Sequence, residues 1–133
     1  MDKQPIDSGK SPVHIGSNQQ PAVPMADFAF NQSSFESYIA KFCADDPGRL
    51  IMVETTPSNW ASWECHPAGD EVVIVLEGEG QFIQEIDGVE IRINVTAGDT
   101  IINPKDVWHT ADVTKPIKAI YITPCPGTQH RPR

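Results

Sequence analysis

From Arg49 onward the chain is a succession of short apolar runs cut by turn-forming residues. The runs read RLIMVET, WASWECH, EVVIVLEG, GQFIQEI, VEIRINV, DTIINP, VWHTADV and IKAIYIT. Between them stand Pro57-Ser58-Asn59, Pro67-Ala68-Gly69-Asp70, Gly78-Glu79-Gly80, Asp87-Gly88, Ala97-Gly98-Asp99, Pro104-Lys105-Asp106 and Lys115-Pro116. Runs rich in β-branched and aromatic residues, bounded by Gly, Pro, Asn and Asp, are strands. Asp87-Gly88 between two alternating runs predicts a type I′ hairpin, whose two central residues both need positive φ. About eight antiparallel strands in such a span make an all-β sandwich or barrel and exclude a βαβ fold.

Ahead of the strands lies one helical signal. In NQSSFESYIAKFCADDPG, Ser33 and Glu36 have capping-box spacing, Phe35, Tyr38, Ile39 and Phe42 form one stripe, and Pro47-Gly48 closes it. A helix over about 33–44 follows, with one apolar face toward the domain. Residues 1–24 hold Pro5, Pro12, Pro21 and Pro24 among polar residues without periodic apolar positions. Too little surface can be buried there to offset ordering entropy, so a flexible arm is expected, with His14 solvated. Residues 25–133 then form a single domain, in keeping with a total length of 133 residues.

Several strands are apolar on both faces. In EVVIVLE, Val73 and Val75 point one way while Val72, Ile74 and Leu76 point the other. A barrel dries only its inner face, so the second set needs a cover: the helix, or a second copy in a homodimer. The formal net charge of -8 disfavours nucleic acid and anionic membrane surfaces as partners. Cys43, Cys65 and Cys125 are odd in number and lack CxxC spacing, which fits reduced thiols in a cytoplasm. The start, Met1-Asp2-Lys3-Gln4-Pro5, lacks the apolar stretch of a signal peptide, and a cytoplasmic protein is expected.

The chemistry concentrates in WECHPAGDEVVIVLEGEG, residues 63–80. Side chains two apart on a strand share a face, so Glu64 and His66 point together and Cys65 points away. Glu71 opens the next strand after a turn. In VWHTADV, Val107, His109, Ala111 and Val113 share the face that looks interior. Two histidines and one or two carboxylates converging inside a barrel make a mixed nitrogen and oxygen site suited to a divalent first-row metal. Gly78-Glu79-Gly80 is followed by no helix, so it is read as a strand-to-strand turn and not a phosphate loop. Cys65 lacks a neighbouring base and is a buried or edge thiol. Among Trp60, Trp63 and Trp108, at least two are barrel packing. Gln84 and Tyr121 are candidate substrate contacts, whereas His130 and the closing Arg131-Pro132-Arg133 face solvent.

These residues resemble the two motifs of the cupins. The first motif runs from a glycine through a His-x-His pair to a glutamate and a second glycine. It reads here as Ser58, Glu64, His66, Glu71 and Gly78, with four residues between His66 and Glu71 and six between Glu71 and Gly78. The second runs glycine, proline, glycine, histidine, asparagine, and reads Gly98, Pro104, Asp106, His109 and Val113. The resemblance spans roughly residues 50–123. It implies a double-stranded β-helix, the cupin or jelly-roll barrel, with one short N-terminal helix. It also implies a metal centre of Glu64, His66, Glu71 and His109 holding divalent manganese, iron, zinc or nickel.

The departure that touches the metal is Glu64, which stands where the first histidine usually does. Either its carboxylate ligates, hardening the site, or it exchanges a proton with a ligand beside a three-ligand metal. Cupins include isomerases, epimerases, dioxygenases, lyases and decarboxylases, so the family does not choose a reaction. The expectation is a small metal-dependent enzyme acting on a polar carbonyl or carbohydrate-type substrate, isomerase-like or oxygenase-like. Its alternative is a non-catalytic metal- or sugar-binding module.

Overall fold

Asp87 and Gly88 both adopt positive φ, 53° and 76°, and Ile86 pairs directly with Val89, as a two-residue type I′ hairpin requires. That hairpin joins β5 (Glu71–Ile86) to β6 (Val89–Thr96) in a computed structural model that describes residues 3–17 and 19–133. Met1, Asp2 and Asn18, which belong to the expected arm, lie outside the described residues. Around the hairpin the fold is an antiparallel barrel. Its other strands are β1 (Val13–Ile15), β2 (Val23–Pro24), β3 (Arg49–Thr56), β4 (Ser62–Cys65), β7 (Thr100–Asn103), β8 (Trp108–Thr123) and β9 (Gln129–Pro132). One face follows the order β2-β1-β3-β8-β4-β9, while β5 pairs with β6, β7 and β8. This is an all-β, double-stranded β-helix architecture with a single short helix among the described residues.

The eight predicted runs become six strands, because two of the expected turns are bends within continuous strands. Gly78-Glu79-Gly80 lies inside β5 and Lys115-Pro116 inside β8, and each of these strands is 16 residues long. They face one another: the β5–β8 ladder slips register between Val75 and Gly80, opposite Lys115 and Val113. Gly78 has φ 96°, and a Cβ there would lie 2.1 Å from the Pro116 carbonyl oxygen. Glycine thus lets two backbones touch at a barrel corner, a role it shares with turns in composition alone.

The expected helix is α1 (Gln32–Phe42), with its cap two residues earlier than predicted. Asn31, not Ser33, is the cap: its side-chain oxygen accepts from the Ser34 amide at 2.9 Å. The stripe of Phe35, Tyr38, Ile39 and Phe42 packs on the inner cluster that includes Leu50, Met52, Val73, Val75 and Tyr121. It therefore does not serve as the cover for Val72, Ile74 and Leu76. Those residues stay half-buried or, for Leu76, 41% exposed, beside Ile102 across the ladder.

Part of the proposed arm is not loose. β1 pairs with β3 and β2 adds to β1. The expectation of a solvated His14 is overturned, since His14 is 3% exposed and its Nδ1 lies 2.6 Å from the Tyr38 hydroxyl. Its ring also packs against Tyr38 and Phe42. The three-residue strand was invisible because its burial comes from α1, not from its own pattern.

Candidate metal centre

Glu64 sits in the middle of β4, with His109 of β8 across one edge and His130 of β9 across the other. The alternation that sends Trp63 and Cys65 to the buried outer layer turns Glu64 inward, and His66 follows just beyond the strand end. Glu71 begins β5 opposite Asn103 of β7. Four side chains from three strands and one strand end thereby converge.

The geometry is tight. Oε2 of Glu64 lies 3.7 Å from His66 Nε2 and 3.6 Å from His109 Nε2. Glu71 contacts the same two nitrogens, at 3.2 Å from His66 and 3.4 Å from His109. Ligand atoms of Glu64, His66 and His109 all fall within 4.8 Å of one another. Both histidines and Glu71 are buried.

Hydrogen bonds behind the site fix which atoms face inward. Thr128 donates its hydroxyl to the Cys125 carbonyl at 2.9 Å, so it can only accept from His66 Nδ1, 2.9 Å away. His109 Nδ1 meets the Val107 carbonyl at 3.4 Å, and a carbonyl oxygen only accepts. Each Nδ1 therefore carries a proton, and each Nε2 points into the site. Neither Nε2 has a hydrogen-bond partner, although both are buried. Glu71 is held on both oxygens, by Asn103 Nδ2 at 3.0 Å and by Thr123 Oγ1 at 2.6 Å. Glu64 keeps Oε2 for the site, because His130 Nε2 donates to its other oxygen at 3.0 Å.

Burial alone would push the Glu64 and Glu71 carboxyls up. The facing imidazoles more than offset it and hold both below the usual carboxylate range. Burial likewise opposes a charge on His66, but Glu71 and Glu64 raise its pKa. Such a donor set, with two buried imidazole nitrogens lacking partners between two ionised carboxylates, fits a divalent cation.

Glu64, His66 and Glu71 form the floor of a cavity of about 800 Å³, closed on one side by α1 and lined also by Met52, Glu54, Trp60 and Tyr121, while His109 is fully buried. Tyr121, expected as a substrate contact, does reach this cavity. Gln84 does not line it. Although paired with His109, it gives its amide to the Ile102 carbonyl and to Asn103 Oδ1, at 2.7 and 3.0 Å. It steadies the Asn103 that holds Glu71. Trp60 is the tryptophan that faces the cavity, while Trp63 and Trp108 flank the Arg131 guanidinium. Cys65 is buried and its thiol is pushed up by that burial, as a packing residue should be.

Sequence reasoning missed Asn103, Thr123, Thr128 and His130. The first three belong to no motif and act only through register. His130 is indeed largely exposed, but pairing of β9 with β4 brings it onto Glu64. Only the cross-strand register, not local pattern, carries that information.

Solved structures sharing this fold include a double-stranded β-helix protein from Klebsiella pneumoniae, 20% identical, with TM-score 0.53, 64% of this chain covered and 76% of that one. A cupin protein from Bacteroides fragilis is 21% identical, with TM-score 0.51 and coverage of 60% and 68%. Oxalate decarboxylase from Bacillus subtilis, studied for its Mn(II) centres, is 18% identical with TM-score 0.54, over 63% of this chain and 23% of its own. The chain spans only 43% of an Fe(II)-HppE chain that it also matches, 20% identical over 58% of this chain at TM-score 0.50. No curated protein matches the sequence. The family model described as "Cupin domain" matches residues 51–123, more than half of the sequence and both motifs, and the chain belongs to the cupin family.

Proposed function

We propose that this chain is a small metal-dependent cupin enzyme acting on a polar carbonyl or carbohydrate-type substrate, with isomerase or epimerase chemistry favoured over oxygenation. The observation that carries the reading is the pair of buried, partnerless Nε2 atoms facing two carboxylates that line an open cavity. Glu64, His66, Glu71 and His109 would hold the ion. When bound, a divalent metal supplies Lewis acidity toward a carbonyl or hydroxyl oxygen. Its identity lies among manganese, iron, zinc and nickel, which suit imidazole with carboxylate. The Mn(II) centres of oxalate decarboxylase and the Fe(II) of HppE support the first two.

The chain's own residues prepare the site. Thr128 and the Val107 carbonyl set the imidazole tautomers, and Asn103 with Thr123 fixes Glu71. Met52, Phe35, Ile39 and Trp60 make the cavity wall partly apolar, which weakens solvent screening around a bound oxygen. Polar groups at the floor suit a small oxygen-rich substrate better than a long apolar one. Of the two roles open to Glu64, ligation is the one its geometry supports, because its His130 bond leaves Oε2 aimed at both histidines.

The deciding experiment loads the protein, purified without an affinity tag, with Mn(II), Fe(II) or Zn(II) and screens sugar phosphates and keto acids for turnover. Turnover with a pH–rate profile supports the enzyme. Metal-dependent binding with no turnover across the panel would replace it by a binding module. We also propose a homodimer through the outward apolar face and a cytoplasmic setting, the latter supported by three free thiols. No helix among the described residues is long and apolar enough to cross a membrane.

A further inference from the structure

Besides the carboxylates of the metal site, the cavity is lined by Glu36, exposed on α1, and by the half-buried Glu54. Glu54 lies on β3 on the same face as Leu50, Met52 and Thr56, and lines the cavity together with Glu64 and Glu71. Burial, then repulsion from Glu64 and Glu71, pushes its carboxyl up, and among the described residues no hydrogen bond or cation offsets them. Across the β3–β8 ladder, Glu54 pairs with Ala119 and Met52 with Tyr121. Glu54 and Tyr121 are therefore diagonal neighbours on the inner face, within reach of one ligand.

Tyr121 supplies a second, independent observation. It is 4% exposed, it lines the cavity, and its hydroxyl makes no hydrogen bond. Thr56 is close by without meeting hydrogen-bond geometry, and burial keeps the phenol protonated. A buried donor without a partner costs free energy that folding alone does not recover. A ligand oxygen placed above the metal floor would complete it.

The carboxylates of the metal site are committed. Glu64 is bound by His130 on one oxygen and faces the histidines with the other. Glu71 is held on both oxygens by Asn103 and Thr123. Glu36 is exposed and accepts from Gln32 Nε2 at 2.8 Å, which leaves Glu54 as the half-buried cavity carboxylate free to meet a substrate among the described residues.

We propose that Glu54 is the proton-transfer group of this site and Tyr121 its oxyanion donor, acting on a small α-hydroxy carbonyl compound. The proposal rests on the metal-dependent isomerase reading above. A Glu54 carboxylate oxygen takes the proton from the carbon beside the carbonyl. The C–H electron pair becomes the C=C bond of an enediolate, and the carbonyl π pair moves onto oxygen. The Tyr121 hydroxyl donates a hydrogen bond to that oxygen. Glu54 returns the proton to the neighbouring carbon while the hydroxyl proton passes from the second oxygen to the first, giving the isomer. Return to the original carbon from the opposite face would need a second acid, so isomerisation is favoured over epimerisation. No oxidant or reductant is consumed.

The test incubates the Mn(II)-loaded full chain with dihydroxyacetone in D2O and follows deuterium entry beside the carbonyl by mass spectrometry. The wild type should exchange faster than a protein-free Mn(II) control. Glu54→Gln should cut that rate by roughly 10²-fold or more, Tyr121→Phe by about 10-fold, and Glu54→Asp should retain an intermediate rate. Mn(II) affinity should stay within about threefold in all of them, and Glu54→Gln should melt no lower than the parent, since it removes a charge without a partner. Wild-type exchange in Glu54→Gln would overturn the assignment while leaving the isomerase reading intact. A wild type that binds Mn(II) but exchanges no faster than the control would overturn both.

Discussion

Glu64 meets two demands with its two oxygens: Oε1 accepts from His130 and Oε2 faces the imidazoles of His66 and His109. A histidine at that position would place a neutral nitrogen toward the ion and would have no second acceptor for His130. The carboxylate brings a negative charge instead, which strengthens a hard site and ties the C-terminal strand to it. Glu64→Gln keeps the shape and removes the charge. Metal affinity is expected to fall at least tenfold, or about 1.4 kcal/mol, read by titration calorimetry. Full metal occupancy in the Gln variant, with turnover down roughly 10²- to 10⁴-fold, would instead place Glu64 in proton transfer. This residue was legible because its partners are two positions away on one strand and on a motif with preserved spacing. Asn103, Thr123 and Thr128 were not, since hydrogen bonding behind a site follows from register and carries no sequence signature.

At the scale of elements, β1 and α1 are joined by one buried histidine. His14 donates or accepts at the Tyr38 hydroxyl and packs on Phe42, with Asp46 as the acidic group that acts on it. Burial lowers its pKa below the ordinary 6.5, and Asp46 only partly opposes this. The folded state therefore binds a proton less readily than the unfolded chain. The stability tied to neutral His14 is full above the unfolded value and is lost as pH falls through the lowered folded value. Thermal melts at about pH 7.5 and about pH 5.5 should show a smaller drop in Tm for His14→Gln than for the parent. An equal drop in both would show that His14 is not the group that titrates. The strand signals themselves were legible in type but not in extent. Glycine and proline punctuate β5 and β8 at Gly78 and Pro116, and the same residues serve a turn that ends a strand or a bulge that bends it. Likewise, the apolar stripe of α1 announced the helix, while competition between Asn31 and Ser33 for the cap set its start.

As a whole molecule, the barrel has an inner face filled by core and site, and an outer face that α1 leaves open. Val72, Ile74 and Leu76 point outward, as their alternation with Val73 and Val75 demands, and Ile102 adds to the patch at 56% exposure. Burying three such side chains against a second copy would contribute on the order of 5 kcal/mol before association costs. Sedimentation at roughly tens of micromolar is expected to show a dimer that Leu76→Glu weakens, and a monomer throughout would remove the homodimer from the account. The central claim concerns the opposite side of that sheet, where strands distant in sequence bring together the four side chains proposed to hold a metal. It is tested most directly by titrating Mn(II) into the metal-free chain and into the His66→Ala/His109→Ala variant, with binding followed by electron paramagnetic resonance. The account predicts one tightly bound ion per chain in the parent and at least a hundredfold weaker binding in the variant, about 2.7 kcal/mol or more. A parent that binds no ion, or a double variant that binds it as tightly, would contradict it.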